Sequence, residues 1–474
     1  MRRLVLLFLV SLLLVFSLGF SEDSWWKEAA KPYRGITIRG ISESTPPSKY
    51  IKEVLAPMFE KETGIKVVFE TTSWDQMYDK SIKDMEMGTG IYDFVYVEQD
   101  IIYSYLNRGF LTDITTFMKE HPELVFPDID LDDFTSFINY FKDPETGHLF
   151  ALPMEAFIKP YVYRKDLFSN PEIRKAYKEK YGKELEPAKT PEEYLELAKF
   201  FTEYAKEHNL ELWGTTVQGA SHPSCFYEFV ETILPMFGVY NWGINLNNYR
   251  ASVENGGQLN GEKAKKALRW WVELVKYAPP EALQSTWDEV AATMAAGRAA
   301  QGFVYGENVC WIATDETRSK VVGKIGVTLP PAYPEVIEDA LQGKGYIGYY
   351  DGGAFGIPKT SKHKEAALLF IQWVTQKSVQ VDFALATGRV IRKSTFEDPE
   401  LKKADPKFSY YLSLMEKYGK LFAGAPPFPF HSIVVDLGYP YIAKALRGEI
   451  SPDEALDELA REIDKTLAEL GYGH

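Results

Sequence analysis

Cysteine is nearly absent: Cys225 and Cys310 are the only two in 474 residues. That excludes a disulfide-built scaffold and any Cys-x-x-Cys zinc or redox motif. No cysteine lies near the start to carry a lipid anchor. The two that remain either pair in an oxidising compartment or act as small buried apolar groups. Histidine is scarce as well, with 7 residues and no His-x-x-x-His pair. The run Asp128-Ile129-Asp130-Leu131-Asp132-Asp133 is spaced like a calcium loop. Asp133 stands where that loop needs glycine, and Asn139 where it needs glutamate. No metal and no cofactor is expected. A Gly-x-Ser-x-Gly elbow and a phosphate-cradling Gly-x-x-x-x-Gly-Lys-Ser/Thr loop are both missing. Positive charge is in deficit too. With 53 Lys and Arg against 67 Asp and Glu, the chain carries −14, and loss of Arg2 and Arg3 with a leader takes it to −16. Such a surface disfavours phosphate backbones, so no nucleic-acid partner is expected.

Long apolar runs are confined to the start. Arg2 and Arg3 precede apolar residues 4–10 and 12–16, and small residues follow at Ser17, Gly19 and Ser21. A charged start, a short apolar middle and a small-residue exit predict a cleaved signal peptide over residues 1–21. The run falls short of the ~20 apolar residues that a membrane span needs. A periplasmic or secreted protein follows from this. The length exceeds one ordinary core and predicts two domains.

Strand and helix patterns alternate through the first third. Residues 36–40, 65–70 and 92–97 read as strands, and residues 50–63, 75–87 and 101–107 as helices. Gly64 stops the first helix at the position that favours a left-handed residue. This spacing predicts right-handed βαβ units and a parallel sheet covered on both faces. Residues 149–153 and 160–164 then read as extended segments leading into a second unit. Helical blocks follow at 171–181, 191–208 and 262–277, the second capped by Thr190 with Pro191 in its first turn. Residues 324–329 and 353–357 read as further strands, and 364–376, 406–418 and 452–470 as helices. No low-complexity linker separates the units, which predicts several crossings between them.

From Tyr33 onward the order of short blocks resembles the sugar-binding group of extracellular solute-binding proteins of ABC importers, the maltose-binding-like family. The blocks are Phe59-Glu60-Lys61-Glu62-Thr63-Gly64-Ile65-Lys66-Val67, then Gly88 to Val95, then residues 106–113. Ala151-Leu152-Pro153, Tyr163 to Phe168 and Thr190 to Tyr194 continue the series. Ala295-Ala296-Gly297-Arg298-Ala299-Ala300, Gly352 to Lys359 and Gly448 to Ala455 complete it. Two blocks depart from the family pattern: the aromatic segment, here Gly306 to Trp311, and the "G-G-W" segment, here Gly352-Gly353-Ala354. The resemblance implies an α/β, two-lobed periplasmic-binding-protein fold. Each lobe would be a mainly parallel sheet flanked by helices, joined by multiple hinge crossings. Residues 33–150 with 322–358 would form the N-lobe, and 151–321 with 359–474 the C-lobe. It further implies a monomer that closes on a small neutral carbohydrate or polyol and delivers it to the membrane permease subunits of an ABC transporter, without catalysis.

Solutes of open α/β sheets bind outside the carboxyl ends of the strands. The loops that leave the first three strands carry Ser42 and Glu43, then Trp74 and Asp75, then Glu98, Gln99 and Asp100. Carboxylates accept paired hydroxyl hydrogen bonds, and an aromatic face covers the C–H surface of a sugar. Asp75 and Asp100 are equally suited to cap the helices beginning beside them. By family resemblance, Glu155 and Phe157 join from the crossing segment, and Glu307, Asn308 and Trp311 from the aromatic block. Tyr350, Asp351, Arg392 and Phe430 complete the candidates; Arg389 and Arg392 also suit ordinary ion pairs. The rival reading is a secreted glycoside hydrolase, which needs two carboxylates roughly 5–9.5 Å apart across a cleft. Glu98 and Glu155 are the pair that it would use.

Overall fold

The computed structural model describes residues 22–473, so the expected signal peptide over 1–21 lies outside the described residues. Among the described residues, eight strands form two sheets. β1 (Thr37–Glu43), β2 (Lys66–Thr72), β3 (Phe94–Glu98), β4 (Ala151–Ile158) and β8 (Tyr350–Gly356) make the larger one, in the order β2-β1-β3-β8-β4. β5 (Tyr161–Arg164), β6 (Gln301–Phe303) and β7 (Ile325–Thr328) make the smaller, in the order β6-β5-β7. The βαβ units expected in the first third are present. β1 pairs in parallel with both β2 and β3, and the helices Ala56–Thr63 and Trp74–Met87 lie between successive strands. Gly64 takes φ 78° at the end of the first of them.

β8 runs antiparallel to both of its neighbours, β3 and β4. It reaches this place late in the chain, after the smaller sheet is complete. In that smaller sheet β5 pairs antiparallel with both β6 and β7. β6 and β7 therefore share a direction, joined through the helix Gly306–Thr314. Two lobe boundaries shift accordingly. β4 lies beyond residue 150 yet belongs to the larger sheet, because its partner is β8. β7 was expected in the N-lobe but pairs with β5 in the other sheet. The helix Lys364–Thr375 also packs on the larger sheet, with Phe370 4.9 Å from Phe94 between ring centres.

Each sheet has its own aromatic core. Phe69, Phe94, Phe355 and Phe370 interlock on the larger. Tyr161, Tyr194, Phe303 and Trp270 do so on the smaller. Cys225 belongs to the second core and Cys310 to the first, and both are free buried thiols. The pairing alternative is thereby closed. Thr190 accepts from the Glu193 amide as the expected cap, and Ser451 does the same for the closing helix Pro452–Glu469. Among the described residues no helix is long and apolar enough to cross a membrane.

The acid run at 128–133 finds cations of its own. Asp128 and Asp130 share Lys377 at 3.3 and 2.8 Å, and Asp133 meets Arg392 at 3.3 Å. Among the described residues no cluster of His, Cys, Asp and Glu is arranged to hold a metal.

Candidate functional site

A cavity of about 550 Å³, part of it open to solvent, lies between the two sheets. Its first wall is the carboxyl edge of the larger sheet. Glu43 ends β1, Trp74 opens the helix after β2, Glu98 ends β3, and Asp100 follows it. β8 runs the other way, so its start reaches the same edge, with Tyr349 just before it and Asp351 within it. Side chains alternate along a strand, which turns Tyr350 away, towards Phe137 and Thr135. Phe157, on β4, and Tyr96, on β3, form the floor.

The opposite wall comes from the smaller-sheet side. Tyr305 and Glu307 follow β6, and Trp287 opens the helix Trp287–Ala295. Tyr227 and Glu231 stand on a helical segment that includes a π-helical stretch, Glu228–Ile233. Such wide turns are rare and recur at functional sites.

Hydrogen bonds fix several of these groups. Trp74 Nε1 donates to Glu98 Oε2 at 2.8 Å, and the Tyr78 hydroxyl donates to the same oxygen at 3.1 Å. The Tyr227 hydroxyl donates to Asp100 Oδ2 at 2.7 Å, a bond that reaches across the cleft. Beneath the floor, Arg389 Nε meets Glu155 Oε2 at 2.9 Å, and Tyr96 donates to the other Glu155 oxygen at 3.0 Å. The same guanidinium lies 3.6 Å from Glu307 and 4.7 Å from the centre of the Phe157 ring. Lys159 pairs with Glu228 and lies 3.6 Å above the Tyr305 ring.

Six of the lining groups are carboxylates, and none is Lys, Arg or His. Burial, reinforced by like-charged neighbours, pushes Glu43, Glu98, Glu231 and Asp351 well above the usual carboxylate range. Burial raises Asp100 to about 6, held from going higher by the Tyr227 hydrogen bond. Glu307 rises to about 7, against the pull of Arg389.

Of the residues expected from the sequence, Glu43, Trp74, Glu98, Asp100, Phe157, Glu307 and Asp351 line the cavity. The others stand elsewhere, each for a visible reason. Ser42 is buried and bonded to Ser48, facing away from Glu43. Asp75 is exposed in the first turn of its helix, whose cap position is Ser73. Gln99 bridges Tyr349 and the Ala425 amide behind the wall. Glu155 lies under the floor with Arg389, so Glu98 and Glu155 do not face each other across the cavity as the hydrolase reading required. Asn308 and Trp311 bond one another at 2.7 Å, and Arg318 covers the indole. Arg392 is buried and ties Ile129, Asp130 and Thr375 carbonyls together. Phe430 is stacked on Phe428 at 4.4 Å in the second core. Six lining residues were missed: Tyr96, Tyr227, Glu231, Trp287, Tyr305 and Tyr349. For Glu231 a signal existed, since Glu228 and Glu231 interrupt an otherwise apolar helical run.

A cavity walled by rings and carboxylates on both sides is suited to a compact polar solute with some apolar surface. A sequence profile described as bacterial extracellular solute-binding protein matches residues 42–381. A probable amino-acid ABC transporter periplasmic-binding protein of Sinorhizobium fredii is 22% identical over 456 residues, 96% of this chain and 94% of its own length. A mannitol-binding protein of Pseudomonas aeruginosa is 26% identical over 348 residues, 69% of this chain and 71% of its own. Among solved structures, an ABC transporter solute-binding protein from Agrobacterium radiobacter, in complex with ribitol, superposes with a TM-score of 0.76 at 25% identity. That match covers 91% of this chain and 99% of the other. The profile match begins in β1 and runs past β8, taking in both sheets and the crossings between them, and so the chain is a member of the bacterial extracellular solute-binding protein family.

Proposed function

We propose that this protein is the substrate receptor of a carbohydrate ABC importer, exported and monomeric, which holds a sugar or sugar alcohol between its lobes and presents it to the permease. One observation carries the reading: carboxylates and aromatic rings converge on a single cavity from both lobes. Hydroxyls donate to the first and C–H faces rest on the second. The names of the relatives point in two directions, to mannitol and ribitol and to an amino acid. The lining chemistry favours the polyols. An amino acid brings a carboxylate, and no cation among the lining residues would receive it.

Solute contacts made from both walls favour the closed arrangement, and docking on the permease follows from closure. Tyr227 of one wall, bonded to Asp100 of the other, marks where closure would be read. The receptor would return its solute chemically unchanged. Thermal unfolding with a panel of pentitols, hexitols, cyclitols, monosaccharides and short oligosaccharides tests this directly, because a solute that binds only the folded state raises the midpoint. A rise of several degrees with at least one member is expected. A flat response to the whole panel, or release of new reducing ends from an oligosaccharide, would remove the proposal.

A further inference from the structure

Glu228 and Glu231 are three residues apart on one helix, yet only the first has a partner. Lys159 neutralises Glu228. Glu231 is 3% exposed, lines the cavity, and has no hydrogen-bond partner for either carboxylate oxygen. The charged groups that act on it most are Asp351, Asp100 and Glu98, all acidic, and Lys159, a cation already engaged. Other acids of the wall are better served: Glu98 accepts from Trp74 and Tyr78, Asp100 from Tyr227 and Asp351 from the Gly352 amide, while Arg389 serves Glu155 first and Glu307 only at 3.6 Å.

A buried carboxylate without a donor is costly to keep, and proteins seldom retain one without a use. A hydroxyl brings one donor and no charge. An ammonium brings three donors and the missing positive charge, and it also suits aromatic faces. The cleft already shows that second preference in Lys159 lying over Tyr305. We infer that the solute carries a positively charged amino group seated on Glu231, so that the cargo is an aminated sugar or amino polyol in place of a neutral one. This inference rests on the carbohydrate reading above and narrows it.

Isothermal titration with matched pairs tests it: glucosamine against glucose, galactosamine against galactose, and glucamine against sorbitol, with spermidine as a cation lacking hydroxyls. The expected result is that at least one aminated member binds ten-fold or more tighter than its neutral partner. Its affinity rises from pH 6 to 7.5 and protons are released on binding, because an ammonium favours ionised carboxylates. Glu231→Gln should cut the amine-to-neutral ratio at least five-fold. It should also leave the melting point of the solute-free protein unchanged or raise it, because no donor in the fold satisfies that carboxylate.

Neutral members that bind as well as or better than their amines would overturn the inference and leave the carbohydrate reading standing. Spermidine binding without any sugar would keep the charge and overturn the carbohydrate. No binding by any probe counts against both. A lower melting point for solute-free Glu231→Gln would show a structural duty for that carboxylate and end the inference without any ligand.

Discussion

Two acid-rich regions of this molecule, one a contiguous run and the other six acids scattered from Glu43 to Asp351, differ in what surrounds them. In the turn at 128–133, Asp128, Asp130 and Asp133 each reach a cation, Lys377 or Arg392, and Arg392 ties down three carbonyls besides. In the cleft, six carboxylates line one cavity and the nearby cations, Lys159 and Arg389, are spent on Glu228 and Glu155 behind the wall. The first arrangement is complete without a guest. The second holds uncompensated charge that protons or a bound solute must balance. The contrast separates acids that hold the fold together from acids that the proposed receptor would keep for binding.

The largest expected effect falls on Arg389, a cation linking cleft to core. Arg389→Met leaves Glu155 buried without its ion-pair partner, and loss of one member of a buried pair costs about 3–5 kcal/mol. Urea unfolding at pH 7 should show this, and Arg389→Met with Glu155→Gln should recover most of the loss. If the double variant is no better than the single, Glu155 is not the reason for Arg389.

The pH dependence of the solute-free protein follows from the cleft. Asp100 and Glu307 have folded-state pKa values of about 6 and about 7, above those of the unfolded chain. A raised pKa contributes stability below the unfolded value, and that contribution is lost as pH rises through the folded one. Solute-free stability should therefore decline between pH 5 and 8, by roughly 3 kcal/mol for Glu307 alone at about 1.4 kcal/mol per unit. The surface acids act in the opposite sense below the usual carboxylate range. Glu281 and Asp453 have lowered pKa values through Arg298 and Arg269, and their contribution is lost as pH falls. A denaturation series that rises steadily from pH 5 to 8 would contradict the unpaired state of the cleft acids.

How far the sequence could be read follows the same divide. Glu43, Trp74, Glu98 and Asp100 were legible because they leave strands whose period and order are local properties. Asp351 was legible from its place ahead of a recognisable strand, although Tyr350 beside it faces the other way. The antiparallel insertion of β8 and the pairing of β7 with β5 depend on contacts between residues far apart in the chain, which no local pattern records. Arg392 and Phe430 have the right chemistry for a cleft, but neighbours distant in sequence claim them for a turn and a core. Glu231 was hidden for the converse reason. A glutamate in an apolar helix reads as an isolated exception until Lys159 is seen to serve Glu228 alone.

A smaller effect is expected where the two lobes meet. Tyr227→Phe removes the 2.7 Å hydrogen bond to Asp100 while keeping the ring. The loss of one such bond, about 1 kcal/mol, should weaken solute binding roughly five-fold with little change in unfolding. That bond also lowers the Asp100 pKa, so its removal should shift the pH profile of binding towards higher pH. An unchanged profile would mean that Asp100 does not titrate in contact with the solute.

The smallest effect is predicted for the complete cluster. Lys377→Met removes a partly exposed cation from Asp128 and Asp130, and exposed pairs contribute little. Arg392 continues to hold the turn through the Asp130 and Ile129 carbonyls. The urea midpoint of this variant should match the parent within repeat error, and binding should be unaltered because the turn lies outside the cleft. A loss comparable to that of Arg389→Met would mean that the 128–133 acids also depend on a single cation, and the distinction between the two regions would fail.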